Sequence, residues 1–291
     1  MEPFGYRAPR SLAEAIELLA SDGDPRPRVL AGGTDLLVRL RAGDVRAGLL
    51  VDVKRIPELA GLSLDGDGLR LGAAVCAAEI GEHRELRETY PGLVDAVGLI
   101  GSAQVQGRAS VGGNLCNASP AADSVPALIA LGAECVIAGP DGSRTVPVES
   151  FATGPGETAL RSGEILVELR IPRPRARSAD AYLRFTPRTE MDIAVAGAAV
   201  NLTLGPDGVC RAARVALGAV APTAIAAPEA ARALVGSRLD EAALARAAAA
   251  ASDACVPIDD KRGTAAFRRR LAGVLTRRAA RAAAERAAGR A

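Results

Sequence analysis

The stretch RVLAGGTDL, residues 28–36, sets the fold of the first part of the chain. Arg28-Val-Leu-Ala reads as a short strand, Gly32-Gly33 as a turn, and Thr34 to Ala42 as a helix. Glycines allow positive φ and carry no Cβ to block a ligand. The helix start leaves free N–H groups at a positive dipole end, which suits an anion. Thr34 or Asp35 is placed to cap the helix or to bond the ligand. Two glycines at such a turn also serve tightness alone. Upstream, Ser11-Leu-Ala-Glu14 is a capping box opening a helix over 11–20. Leu12, Ile16 and Leu19 give it an apolar face, and Asp22-Gly-Asp-Pro ends it. Downstream, Leu49 to Val53 reads as a buried strand. Strand alternating with helix predicts a small α/β unit.

The region from about 60 to 175 is mixed. Leu69-Arg-Leu-Gly-Ala is a strand, and residues 77–101 look helical with a stop near Tyr90-Pro91-Gly92. Ser124 to Gly132 is an apolar helix. Cys135-Val-Ile-Ala and Arg144-Thr-Val-Pro flank the turn Pro140-Asp-Gly-Ser and predict a hairpin. Ile165, Val167, Leu169 and Ile171 alternate as in a half-buried strand. Pro172-Arg-Pro-Arg-Ala-Arg reads as a linker and places a domain boundary there. Strands follow at 182–186, 193–204 and 209–220, with Gly205-Pro-Asp-Gly208 turning between the last two. Helices are predicted at 228–235, 240–254 and 264–288. In the last, Phe267, Leu271, Val274 and Leu275 share one face and arginines the solvated other.

A second stretch carries chemistry. Residues 109–124, ASVGGNLCNASPAADS, read as an irregular polar loop before an apolar helix. A loop of this length inside a compact domain usually has a function. Backbone N–H groups around Gly112 and Gly113 suit a pyrophosphate, while Asn114, Asn117 and Asp123 suit hydroxyl groups. GPGETA at 154–159 satisfies the spacing of a dinucleotide fingerprint. It lacks the strand-to-helix context, and Pro155 fills its second position, so a Rossmann site is rejected.

Composition narrows the functions. The 291 residues carry a formal net charge of +2 and are 49% hydrophobic, which suits a folded globular chain of two or three domains. The five cysteines, Cys76, Cys116, Cys135, Cys210 and Cys255, form no CxxC pair. A self-contained zinc or iron–sulfur site is therefore not expected. There is one histidine, His83, which reads as an exposed helix residue, and no GxSxG. With seven aromatics and acids nearly balancing bases, a nucleic-acid platform is excluded. No 18-residue apolar run predicts a membrane span. Scattered cysteines and the absence of a signal-peptide core point to the cytoplasm. Cys116 reads as a packing residue before a redox one.

AGGTDL at 31–36, ASVGGNLCNASPAAD at 109–123, TGPGETAL at 153–160, GEILVELRIP at 163–172 and RFTPRTEMDIAVAG at 184–197 stand in one order. In this they resemble the FAD-binding medium subunit of molybdenum hydroxylases, the xanthine dehydrogenase and carbon monoxide dehydrogenase group. PIDDKRGTAAFRRRLAGVLTRRA at 257–279 is similar to that family's C-terminal domain. The second loop reads closer to the xanthine dehydrogenase type.

The resemblance implies an α+β fold. Residues 1–175 would form a two-subdomain FAD-binding domain of the vanillyl-alcohol-oxidase (PCMH) type, with subdomains of about 1–58 and 59–175. Residues 176–291 would form a small β-sheet with packed helices. It also implies cofactor contacts. Val29, Leu30, Ala31, Gly32, Gly33, Thr34, Asp35 and Leu36 would form the first FAD loop. Ser110, Val111, Gly112, Gly113 and Asn114 would form the second. Asn117 and Asp123 would bond polar groups of the flavin, and Ile100, Leu166 and Arg184 match further contact positions. Ile100 stands where some relatives have an aromatic ring, and Arg184 where they often have Lys.

The implied role is electron exit. Electrons would come from [2Fe-2S] clusters on a small subunit and originate at a molybdenum cofactor on a large one. FAD would pass them to NAD⁺ or another acceptor, in a dimer of heterotrimers. No side chain need act as acid or base, so no catalytic and no metal-binding residue is expected. A stand-alone flavin reductase of the same fold and a non-enzymatic scaffold are the alternatives.

Overall fold

The computed structural model describes residues 3–290. Three parallel strands come first, in the order Gly5–Arg7, Leu49–Asp52, Arg28–Leu30. Helix Leu12–Ala20 connects the outer two along the chain. Its cap Ser11 accepts from the Glu14 N–H, while the Glu14 carboxylate reaches the Arg10 N–H at 3.2 Å instead of closing on Ser11. Helix Leu36–Ala42 follows the glycine turn and ends at Gly43, whose φ is +84°. The expected α/β unit is present.

A five-stranded antiparallel sheet follows, ordered Leu62–Leu64, Gly68–Gly72, Ile165–Pro172, Glu134–Gly139, Gly142–Pro147. Strand 165–172 lies at its centre, so the half-buried reading is corrected: 165–169 are buried on both faces. A bulge between Leu166 and Glu168 explains the misleading alternation. An extra residue inverts the side-chain parity. Ile165 and Val167 pack with Val51, Ile56 and Leu59 of the first unit, whereas Leu166, Leu169 and Ile171 join the larger core.

The helical region 77–101 is three helices, Ala77–Glu82, Arg84–Thr89 and Pro91–Val97. Pro91 does stop one helix, yet it also opens the next, where its missing N–H is harmless. His83 is not within a helix. It sits between two of them, half-buried, and its Nδ1 accepts the Leu86 N–H at 3.4 Å. Residues 109–124 are not wholly irregular either. Ser110 caps a helix over Val111–Cys116 by accepting from the Gly113 N–H at 3.0 Å. Two adjacent glycines hid this helix, because Gly lowers helix propensity.

The third sheet is antiparallel, ordered Ser178–Phe185, Ala196–Leu204, Cys210–Gly218, Ile225–Ala226. Both faces are covered. Ala198, Val200 and Leu217 meet helices Pro228–Leu234, Glu241–Asp253 and Ala265–Ala288. Tyr182, Ala199 and Ala216 meet the core around helix Ser124–Leu131, every residue of which is buried. The last helix is rotated from its predicted orientation. Its buried face runs through Arg268, Ala272, Leu275, Ala279, Ala283 and Ala287, while Phe267 is exposed. Alanine outweighs the larger side chains here because close approach matters more than bulk. A Cβ on Gly273 would stand 2.7 Å from the Ala248 carbonyl oxygen. Nor are the arginines all solvated. Arg268 is buried and donates to the Val195 and Ala219 carbonyls at 2.8 and 3.1 Å and to Asp260 at 2.7 Å.

Candidate functional site

The two glycine stretches, 77 residues apart between Gly33 and Ser110, meet in one cleft of about 260 Å³. Gly32 makes the meeting possible. A Cβ there would lie 2.0 Å from the Arg108 carbonyl oxygen, so the first turn rests directly on the backbone entering the second. Gly112 does the same against strand Gly68–Gly72 and its continuation, where a Cβ would be 2.4 Å from the Ala73 oxygen. These two glycines are explained by chain-to-chain approach. Gly113 differs: a Cβ there meets only Ser110 Oγ, at 2.9 Å, leaving its other side open. Gly33 has φ +78°, which any other residue would adopt only under strain.

The cleft is lined by Val29, Ala31, Gly32, Gly33, Thr34, Asp35 and Leu36 from the first stretch. Ser110, Gly112, Gly113, Asn114 and Asn117 come from the second, with Ile100 and Leu166 beside them. Four of the expected residues are elsewhere. Leu30 packs into the small core with Leu40 and Leu50. Val111 is fully buried in the large core. Asp123 and Arg184 face each other, their side chains 9% and 6% exposed and joined at 2.5 Å. Tyr182 donates to the other carboxylate oxygen at 2.8 Å. Burial pushes the Asp123 carboxyl upward, against the pull of Arg184 and the Tyr182 hydroxyl. This pair bridges the segment before helix 124–131 to the third sheet.

Donors are arranged on the cleft. Among the described residues, the backbone N–H groups of Gly32, Gly33, Thr34 and Asp35 meet no protein acceptor. Neither Thr34 nor Asp35 caps the following helix through its side chain, contrary to one expectation. Ser124 Oγ donates to Asn114 Oδ1 at 2.7 Å, which leaves the Asn114 amide N–H₂ free to donate. Arg28 and Arg39 add positive charge, and Val53, Leu59, Leu160 and Ile165 add apolar wall. None of these was singled out from the sequence as a site residue, although Arg28 opens RVLAGGTDL, Ile165 lies in GEILVELRIP, and Leu160 ends TGPGETAL. Gly156 ties that last stretch to the second loop by donating to the Ala118 carbonyl at 3.0 Å.

Lys54 was also missed. Its ammonium donates to the Ala31 carbonyl at 2.9 Å and to Asp52 Oδ1 at 2.6 Å, while the Tyr6 hydroxyl donates to Asp52 Oδ2 at 2.7 Å. The lysine thus holds the first loop from behind, and with Tyr6 keeps the Asp52 carboxyl below its ordinary range although burial opposes this. Cys116 lines the cleft, but burial pushes its thiol to about 12. It is a neutral wall group, not a nucleophile.

Unpartnered N–H donors, free amides and flanking arginines suit the diphosphate and hydroxyl groups of a dinucleotide, and the apolar end suits a flat ring system. FAD fits these residues. No group of His, Cys, Asp and Glu among the described residues is placed to hold a metal.

Comparison with known proteins agrees. Residues 2–174 match the family model described as FAD binding domain in molybdopterin dehydrogenase. Residues 181–283 match that of the CO dehydrogenase flavoprotein C-terminal domain. The carbon monoxide dehydrogenase medium chain of Hydrogenophaga pseudoflava is 34% identical, over 96% of each chain. The putative xanthine dehydrogenase FAD-binding subunit of Escherichia coli strain K12 is 36% identical, over 76% of this chain and 75% of its own. The solved carbon monoxide dehydrogenase from Hydrogenophaga pseudoflava superposes with a TM-score of 0.93 at 36% identity, covering 98% of this chain and 99% of that one. Fold, cleft and sequence thus agree that this chain belongs to the FAD-binding medium subunits of the molybdenum hydroxylase family, a family of oxidoreductases.

Proposed function

We propose that this chain is the electron-exit subunit of a molybdenum-dependent hydroxylase complex. In this reading it takes electrons from [2Fe-2S] clusters of a small partner subunit and passes them to NAD⁺ or another acceptor. Substrate oxidation then belongs to a large molybdenum-binding subunit, and the assembly is a dimer of heterotrimers. The single observation carrying the reading is the junction of two glycine stretches around one donor-lined cleft.

FAD, when bound, supplies the change between one-electron and two-electron transfer. The chain's own residues bind and orient it. Gly32, Gly33 and Thr34 offer backbone donors to the diphosphate, and Arg28 and Arg39 offset its charge. Asn114 and Asn117 would bond the sugar chain, and Ile100 and Leu166 would give apolar contact to the ring, since all four line the cleft. Asp123 and Arg184, being engaged with each other, act in this reading as a positioning pair behind the Asn117 segment. We take residues 1–175 as the FAD-binding domain, of the vanillyl-alcohol-oxidase type with subdomains 1–58 and 59–175, and 176–291 as the C-terminal domain. Five cysteines without a disulfide suit a cytoplasmic setting.

Purification tests the proposal. Flavin absorbance near one FAD per chain, with co-purification of an iron–sulfur chain and a large molybdenum chain, is expected. Flavin-loaded protein that never associates with such chains would favour a stand-alone reductase. Colourless protein that does not take up FAD would favour a scaffold.

A further inference from the structure

A shallow, open depression of about 250 Å³ shares no lining residue with the flavin cleft. It lies where the segment Arg173-Pro-Arg-Ala-Arg177 meets the end of the last helix. Arg173, Arg175, Arg177 and Arg290 line it, with Glu88 as the only acid among the lining residues. Glu88 is engaged by Arg84 at 3.0 Å. Among the described residues, none of the four arginines forms an ion pair.

Two of the four guanidinium groups are nonetheless held in place. Arg290 donates to the Ser178 and Thr89 carbonyls at 2.8 and 3.1 Å and to the Glu88 carbonyl. Arg173 donates to the Asp65 carbonyl at 2.6 Å. Carbonyls orient these groups without neutralising them. Arg177 is more telling. Its φ is +55°, a conformation that glycine or asparagine adopts at lower cost. Its side chain makes no hydrogen bond, and its Nε is buried without a partner. No hydrogen bond or ion pair among the described residues accounts for an arginine at this strained position.

We propose that this pocket binds a small oxyanion carrying more than one negative charge, a phosphate or phosphate ester, through Arg173, Arg175, Arg177 and Arg290. Planar guanidinium forks match tetrahedral oxyanions, and several of them facing one concavity suit a multiply charged group. Bound there, the anion joins the segment between the two family-matched regions to the end of the last helix, and it stabilises that junction.

The test uses the purified, flavin-loaded protein, so that the first cleft is occupied. Inorganic phosphate and inorganic pyrophosphate are titrated by calorimetry at low ionic strength, alongside thermal unfolding. Saturable binding and a raised Tm are expected, tighter for pyrophosphate, weakening as salt is added. Arg177→Gly suits the local backbone, so it should keep or raise the basal Tm while weakening binding at least tenfold. Arg175→Ala, an exposed side chain, should weaken binding without affecting the fold. Unchanged flavin absorbance throughout distinguishes this pocket from the flavin cleft. Absence of heat and of any Tm shift at 10-millimolar-order pyrophosphate (roughly the weak end of specific affinity) would overturn the proposal. Wild-type binding by both arginine variants would do the same.

Discussion

Gly32→Ala probes how the site is assembled. The new Cβ would start 2.0 Å from the Arg108 carbonyl oxygen and 2.6 Å from its carbon, both backbone atoms that cannot rotate away. Ordinary contact begins near 3.4 Å, so the two loops must part by about 1.4 Å. Overpacking of this kind costs about 1–3 kcal/mol of stability. The consequence for FAD is separate. Donors on the first loop and Asn114 on the second would no longer match one ligand together. Loss of one or two hydrogen bonds, about 1–3 kcal/mol, predicts FAD affinity lower by roughly 10- to 100-fold. Gly43→Ala is the matched control. Its φ is +84° with nothing within 4 Å of the new Cβ, so it should lose stability without losing flavin. The assay is FAD titration of stripped protein by flavin fluorescence, with urea denaturation in parallel. A Gly32→Ala protein that binds FAD as tightly as the parent would refute the claim that this glycine joins the loops. Gly113→Val should abolish retention by a different route, its side chain entering the open side of the cleft.

Other expectations concern the supporting residues. Arg184→Met leaves Asp123 buried without its cation and should destabilise by about 3–5 kcal/mol in urea denaturation, with much of that regained in the double variant with Asp123→Asn. Lys54→Met frees the Ala31 carbonyl and should weaken FAD binding with the fold kept, and Lys54→Arg should restore part of it. Asp180 is buried, and desolvation lifts its carboxyl to about 6 although the Leu93 N–H donates to it at 2.8 Å. Between the ordinary 3.8 and about 6 the folded state therefore holds the extra proton, so stability from this group falls as pH rises through that window, by about 3 kcal/mol. Asp180→Asn should remove that slope; an unchanged pH–stability curve would refute the assignment. Cys116→Ser should retain FAD, and the native thiol should resist alkylation at neutral pH until the protein is unfolded.

Much of the site was legible because paired glycines mark backbone that must turn sharply or be approached closely. AGGTDL and ASVGGN each announce backbone that must bend or come close, and both do. What they approach was not legible. Gly32 reads from the sequence as clearing space for a ligand or as tightening a turn, and Gly112 as offering a backbone donor; their missing Cβ atoms clear space for Arg108 and Ala73. Asp123 and Arg184 were assigned to the flavin by resemblance. Which groups a charged side chain meets is decided by elements distant in sequence, and these two meet each other.

The sequence by itself determined the local elements and their order. Capping boxes, proline positions, turn dipeptides and apolar spacing depend on residues within about one turn of each other, and they predicted the hairpin at 134–147 and the last three helices closely. Only the tertiary structure decided parity and depth. The bulge at Leu166 inverted the faces of the central strand, and close alanine packing rotated the last helix so that Arg268 was buried. It also brought two loops into one cleft and four arginines to one depression. The physical reason is the same in each case. Short-range propensity fixes what a segment can be, while burial against distant neighbours fixes which side of it faces the core and which charges it must meet.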